Sequence, residues 1–362
     1  MQAEQMWRTS TGKGVTVAVI DTGVDGKLPD LRGRVLPGKD EAPESPGDEH
    51  TDYDGHGTTM ALLIAGSGES NGGDGSLGLA PGAKVLPIRV ADRGLDSNQY
   101  TKEFNESVSA GIRYAADRGA QVINISLRAL EGSKELSAAV RYALDKGSLV
   151  FAGTGNDGTS GVEYPAGTPG VVAVGAVGQD LRKTKESQYG PEVDLAAPGE
   201  ELYHVCPTGT SLCRSHGTSG STALASASAA LVWARHPSWT NNQVLRVLLN
   251  TLGGPTDGAE RNDSIGYGIV RPRIALQNPG DPGPPDVYPL PDLAAAASAS
   301  PSAHTSEGAG ANAPEKGKAS AAAQDDGGAG GLWTGVGIGA GVCLAVAAAL
   351  ITARKRRRSA AG

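Results

Sequence analysis

VTVAVIDTGVDG, residues Val15 to Gly26, runs a nearly continuous apolar stretch into an aspartate and then into glycine-rich turn text. A strand that is apolar on both faces belongs inside a parallel sheet. Catalytic groups of parallel-sheet folds gather at the carboxyl ends of the strands, and that is where Asp21 stands. Alone, Asp21 would be a turn residue. Its meaning depends on what else the chain brings to it.

Working outward, the same texture returns in KVLPIRVA (84–91), QVINISL (121–127), SLVFAG (148–153) and VVAVGAV (171–177). Helical patterns fill the gaps at 103–119 and 133–147. In the second, Leu136, Ala139, Val140 and Ala143 recur at spacings of three and four, and both patterns end in a glycine, Gly119 or Gly147, where a C-cap is expected. Strand–helix–strand repetition predicts an α/β fold with a mainly parallel sheet and right-handed crossovers. No GxGxxG follows the first strand, so a dinucleotide site is excluded.

The chain has 362 residues, room for one large domain or two ordinary ones, with 53 glycines and only 4% aromatics. Its formal net charge is −7. Setting aside the basic run Arg354, Lys355, Arg356, Arg357 and Arg358 leaves 27 basic against 39 acidic residues, a net −12. An acidic body argues against nucleic acid as partner and against docking on an anionic membrane surface. Cys206 and Cys213 stand close enough for a local loop-closing disulfide, the alternative being two unpaired thiols. Cys343 lies far away. No Cys or His pair sits at zinc-ligand spacing, so no metal site is expected.

The folded domain is expected over 1–276. A Pro/Ala/Ser/Gly-rich linker, read as disordered, follows over 277–330. Residues 331–353 carry no charge and at ~1.5 Å per residue reach about 30 Å, a transmembrane helix. The basic tail 354–362 should stay cytoplasmic, placing the main domain outside the cell membrane. The opening MQAEQMWRTSTGKG has no apolar export segment. Either the start is taken too late or the chain is a processed form.

Two further stretches carry chemistry. DYDGHGTTMALLIAG (52–66) sets His56 between two glycines at the head of an apolar helix. HGTSGSTALASASAALVW (216–233) sets Ser219 at the head of a helix so small in its side chains that another backbone must come close. A serine hydroxyl attacks only when an imidazole takes its proton. The imidazole needs a carboxylate to fix its tautomer and stabilise its cation. Acyl transfer also needs donors at the developing oxyanion. Asn156, after a strand and between Gly155 and Asp157, could supply one, and the Ser219 backbone N–H another. The remaining histidines, His50, His204, His216, His236 and His304, are read as surface residues.

DTGVD (21–25), DGHGT (54–58), GTGND (153–157) and GTS (217–219), with YPAGTPGVVAVGAV (164–177) and VDLAAPG (193–199), resemble the subtilisin-like serine proteases over about residues 12–276. The resemblance implies a three-layer fold with a mainly parallel, about seven-stranded sheet, and peptide-bond hydrolysis through an acyl-enzyme. Asp21 would orient, His56 act as general base and acid, Ser219 attack and Asn156 hold the oxyanion. Ser126, Leu127 and Arg128, with Gly153, Thr154 and Gly155, would bind substrate. Cofactors are not implied; relatives often bind calcium, but no run of acidic ligands here indicates it.

TGKGVTVAVIDTGVD (11–25), the Pro-rich linker and the apolar C-terminal segment with its basic end are similar to mycosins, membrane-anchored subtilases of actinobacterial type VII secretion systems. That implies protein or peptide substrates and a place at the secretion membrane complex, as a processing enzyme or as a structural component with little proteolytic role. Two departures stand out. Gly220 follows Ser219 without the proline usual in the next few residues, and Arg128 replaces a pocket glycine. Arg128 could narrow the pocket, favour acidic or small groups, or point to solvent. The last is the first expectation.

Overall fold

The computed structural model describes residues 2–90, 98–207, 211–256 and 258–299. In chain order the helices are α1 (Ala3–Trp7), α2 (His56–Ala65), α3 (Asn98–Asp117), α4 (Lys134–Asp145), α5 (Thr218–Arg235), α6 (Asn241–Asn250), α7 (Pro272–Gln277) and α8 (Asp292–Ala299). The strands are β1 (Thr16–Asp21), β2 (Lys39–Asp40), β3 (Lys84–Arg89), β4 (Val122–Ile125), β5 (Leu149–Gly153), β6 (Val171–Val177), β7 (Leu195–Pro198), β8 (Leu202–Val205) and β9 (Leu212–Ser215). Among the described residues, seven strands form one parallel sheet in the order β2-β3-β1-β4-β5-β6-β7, and β8 and β9 form an antiparallel hairpin. All five apolar runs picked out in the sequence are strands of the sheet. The two-residue β2 and the short β7 were not among them.

Alternation along each strand divides the core in two. Val17, Val19, Val85, Val122 and Phe151 face α2 and α5. Ala18, Ile20, Leu86, Ile88, Ile123 and Ile125 face α3 and α4. Both sheet faces are therefore covered, which is why the strands read as continuous apolar runs. The helix ends also follow the sequence. Ser133 Oγ accepts from Leu136 N at 3.0 Å, and Gly119 and Gly147 take φ of +72° and +89°.

Helix α5 answers the question its composition poses. It is buried on nearly every side, passing beneath the sheet in contact with β4, β5, β6 and β7 as well as α2. Its small side chains permit that approach. Its buried hydroxyls are satisfied: Ser221 Oγ donates to Ala197 O (3.0 Å), Thr222 Oγ1 to Thr218 O (2.7 Å) and Ser226 Oγ to Asn124 Oδ1 (3.0 Å). At Gly220 a Cβ would come within 2.4 Å of Leu202 Cδ1, the end of a hairpin side chain that can turn aside, so nothing in the structure explains the departure there.

The domain boundary expected at 276 needs correction. Residues 278–299, taken for the start of a disordered linker, form a strap across the domain. Arg246 donates to the carbonyls of Pro282 (2.9 Å), Pro284 (3.0 Å) and Val287 (2.6 Å). Tyr288 Oη donates to Gly170 O at 3.0 Å, Asp292 accepts from Gly170 N at 2.5 Å, and Leu290 is buried in the core. Proline-rich text reads as linker because it cannot donate to secondary structure, yet its free carbonyls are the acceptors that one arginine collects here. No helix among the described residues is long and apolar enough to cross a membrane. The expected transmembrane helix 331–353 and basic tail lie outside the described residues.

Candidate active site

The strand order reverses at β1, whose neighbours are β3 on one side and β4 on the other. Crevices at such points bind ligands in open α/β sheets. The ends of β1, β4 and β5 deliver Asp21, Ser126 and Asn156 there, and the starts of α2 and α5 deliver His56 and Ser219.

Asp21 is fully buried and its Oδ1 lies 2.7 Å from His56 Nδ1. The same oxygen accepts from Thr22 N at 2.8 Å. Close approach of α2 to β1 depends on Gly57, where a Cβ would sit 2.2 Å from Gly23 O. Asp52 then fixes the first turn of α2. Its Oδ1 accepts from Gly55 N and Thr22 Oγ1 (both 2.8 Å), and its Oδ2 from Thr58 N (2.8 Å) and Thr58 Oγ1 (2.6 Å). Burial of the imidazole opposes its charge, but the charge and hydrogen bond of Asp21, with Asp54 and Asp52 nearby, outweigh it and raise His56 from 6.5 to about 9.

Ser219 is the second residue of α5, behind the N-cap Gly217 with φ +109°. Its hydroxyl donates to Ser126 O at 3.2 Å, while Ser126 Oγ donates to Ser219 O, also at 3.2 Å. So Asp21–His56 is joined in this structure, and Ser219 shares the cleft with His56 but is turned to Ser126. Catalytic hydrogen bonds commonly align only when substrate binds.

Asn156 Oδ1 accepts from Thr218 N (2.9 Å) and Thr218 Oγ1 (3.1 Å). A backbone N–H can only donate, so the amide orientation is fixed and Nδ2 is left on the wall of the cleft. The Ser219 N–H, in the first turn of α5, has no carbonyl four residues back to reach. Thr218, the residue that orients Asn156, escaped the sequence reading although it is the middle letter of the GTS motif.

The cleft holds about 220 Å³ and is lined by Asp54, His56, Ser126, Arg128, Asn156 and Ser219, with Leu127, Gly153, Gly155, Thr218 and Tyr100 completing it. Two expectations fail. Thr154 is fully buried and does not line the cleft; its carbonyl accepts from Glu163 N at 3.2 Å instead. Arg128 does not point to solvent. Its side chain is only 23% exposed, bonded to Asp157 Oδ2 at 3.0 Å and to both carboxylate oxygens of Glu163. Burial raises the Glu163 carboxyl above its ordinary range against the pull of Arg128. Nothing in the sequence ties Glu163 to Arg128, 35 positions away.

Cys206 and Cys213 are joined in a disulfide across the hairpin. His216 is exposed beside Glu186 (3.3 Å), and His204, read as a surface residue, is buried. Among the described residues no group of three or more His, Cys, Asp or Glu could hold a metal ion. Buried Asp30 accepts from Ser70 N (2.9 Å) and Ser76 N (3.2 Å), so backbone donors satisfy it.

A family model described as the subtilase family matches residues 12–268. Thermitase of Thermoactinomyces vulgaris is 38% identical over 210 residues, covering 58% of this chain and 72% of thermitase. Subtilisin E of Bacillus subtilis is 38% identical over 238 residues, covering 65% of this chain but only 59% of subtilisin E. Among solved structures, MycP1 from Mycobacterium smegmatis superposes with a TM-score of 0.69 at 30% identity, covering 79% of this chain and 85% of that one. The MycP3 protease from the type VII (ESX-3) secretion system gives 0.67 at 34% identity, covering 76% and 85%.

Proposed function

The chain belongs to the subtilase family of serine endopeptidases, and on that premise we propose that it hydrolyses peptide bonds at the cleft where Asp21, His56, Ser219 and Asn156 meet. The observation that carries the reading is the 2.7 Å contact between buried Asp21 and His56, on a cleft that Ser219 and Asn156 also line.

In this reading the Ser219 hydroxyl turns from Ser126 to His56 Nε2 and gives up its proton as Oγ attacks the substrate carbonyl. Asp21 holds the Nδ1–H tautomer and stabilises the imidazolium. The carbonyl oxygen, now negative, takes hydrogen bonds from Asn156 Nδ2 and the Ser219 N–H. His56 returns its proton to the leaving amine, and water then releases the acyl group by the same steps.

We place this peptidase outside the cell membrane, tethered by residues 331–353 with Arg354–Arg358 inside, and linked to type VII protein secretion. The uncharged segment and its basic end support the tether, and the likeness to MycP1 and MycP3 supports the link. A second reading, a secretion-complex component with little proteolytic role, draws on one observation: the Ser219 hydroxyl is bonded to Ser126 O rather than to His56. A fluorophosphonate probe separates the two. A covalent adduct on Ser219 of the folded protein is expected; a folded protein that never labels would favour the scaffold.

A further inference from the structure

One charged cluster beside the cleft has no part in the chemistry above. Arg128 lines the cleft, and Glu163, with a side chain 6% exposed, lies behind it. Every hydrogen bond of the guanidinium leaves from one terminal nitrogen, two to Glu163 and one to Asp157. The surrounding backbone is pinned as well. Tyr100 Oη donates to Arg128 O at 3.3 Å, and Ala129 and Tyr164 exchange backbone bonds of 2.8 and 2.9 Å. Gly155 seals the inner side, because a Cβ there would lie 1.4 Å from Gln188 Oε1 and 2.7 Å from Glu163 Oε2. The whole cleft, from His56 and Ser219 to Arg128, holds about 220 Å³, and the Arg128 side chain takes up its wall on this side.

We propose that Arg128, locked by Glu163 and Asp157, is the specificity-determining wall of this cleft, and that it restricts the residue on the amino side of the scissile bond to small uncharged side chains such as alanine, glycine or serine. A large apolar side chain would have to displace a guanidinium whose removal strands buried Glu163. An acidic one would meet two carboxylates around a single guanidinium. A basic one would find Glu163 already occupied and screened by Arg128. The proposal rests on the peptidase reading.

The test uses otherwise identical fluorogenic peptides with Ala, Gly, Ser, Leu, Phe, Glu or Lys at that position. The unaltered protein is expected to favour Ala over Leu and Phe by about 10-fold or more in kcat/KM, a discrimination within reach of pocket shape. Arg128→Gly combined with Glu163→Gly removes both charges together and should raise cleavage after Phe or Leu by about 10-fold while changing Ala far less. Thermal unfolding checks that the double variant folds. If it does not, Glu163→Gln decides, since a less-neutralised Arg128 should then improve the Glu peptide relative to Ala. A starting preference for Leu, Phe or Lys, or a ranking unmoved by the substitutions, overturns the proposal. Fluorophosphonate labelling tells the failures apart. A protein that labels but ranks peptides otherwise loses only the specificity claim, whereas an inert, unlabelled one loses the peptidase reading and this claim with it.

Discussion

Helices α2 and α5 begin alike and are finished differently. Each starts behind a glycine with positive φ, Gly55 at +83° and Gly217 at +109°, and each presents a reactive side chain in its first turn. At α2 a carboxylate, Asp52, takes up the N–H groups of Gly55 and Thr58, and Thr22 Oγ1 takes that of Gly57. At α5 a neutral amide, Asn156, takes up one and leaves the next unclaimed. A helix start favours negative charge. Asp52 uses that field up, so a cationic ring becomes tolerable at His56. The uncharged Asn156 leaves it available for an anion that exists only during reaction. On the proposed mechanism, one terminus would carry a proton and the other would meet an oxyanion.

Breaking the α5 side should cost most. Ser219→Ala is expected to lower kcat by about 10⁶-fold, the loss known for dismantled triads of this family, with a thermal midpoint within a few degrees of the parent. Asn156→Ala removes one oxyanion donor and should cost about 10²–10³ in kcat with little change in KM, again the range known for this family. Steady-state kinetics reads both. On the α2 side, Asp52→Ala strands N–H groups at the helix start and should destabilise the fold by about 1–3 kcal/mol, measurable by denaturant titration. It should also lower kcat by loosening His56.

The gentlest probe is Asp54→Asn, which takes one charge from the cleft rim. Because kcat/KM needs neutral imidazole, it should climb with pH on a limb set by His56, which lies near 9 rather than 6.5. Asp54→Asn should move that limb to lower pH. Stability runs the opposite way. The raised value means that the contribution of His56 to folding is whole below 6.5 and fades as pH rises through about 9. A limb that does not move would show that Asp54 plays no part in setting it.

Much of this was legible in the chain. The strands were visible because burial on both faces demands apolar runs, and Asp21, His56, Asn156 and Ser219 because each stands at the end of a strand or the start of a helix amid glycines. What stayed hidden depends on partners far apart in sequence. Arg128 reads as a surface residue until Glu163 is seen behind it. Thr154 reads as pocket lining because its glycine neighbours are, while the alternation of an extended chain turns it inward. β2 and β7 are too short to show a period, and the strap over 278–299 is held by backbone carbonyls, which every sequence has and none displays.

That strap also sets where the chain can be cut. A recombinant piece ending at Leu276 would leave the guanidinium of Arg246 with none of its three carbonyl acceptors and would uncover the seat of Leu290. Such a piece should be nicked readily by added proteases and recovered in poor yield. The shortest self-sufficient fragment for crystallisation or assay should run at least through Ala299.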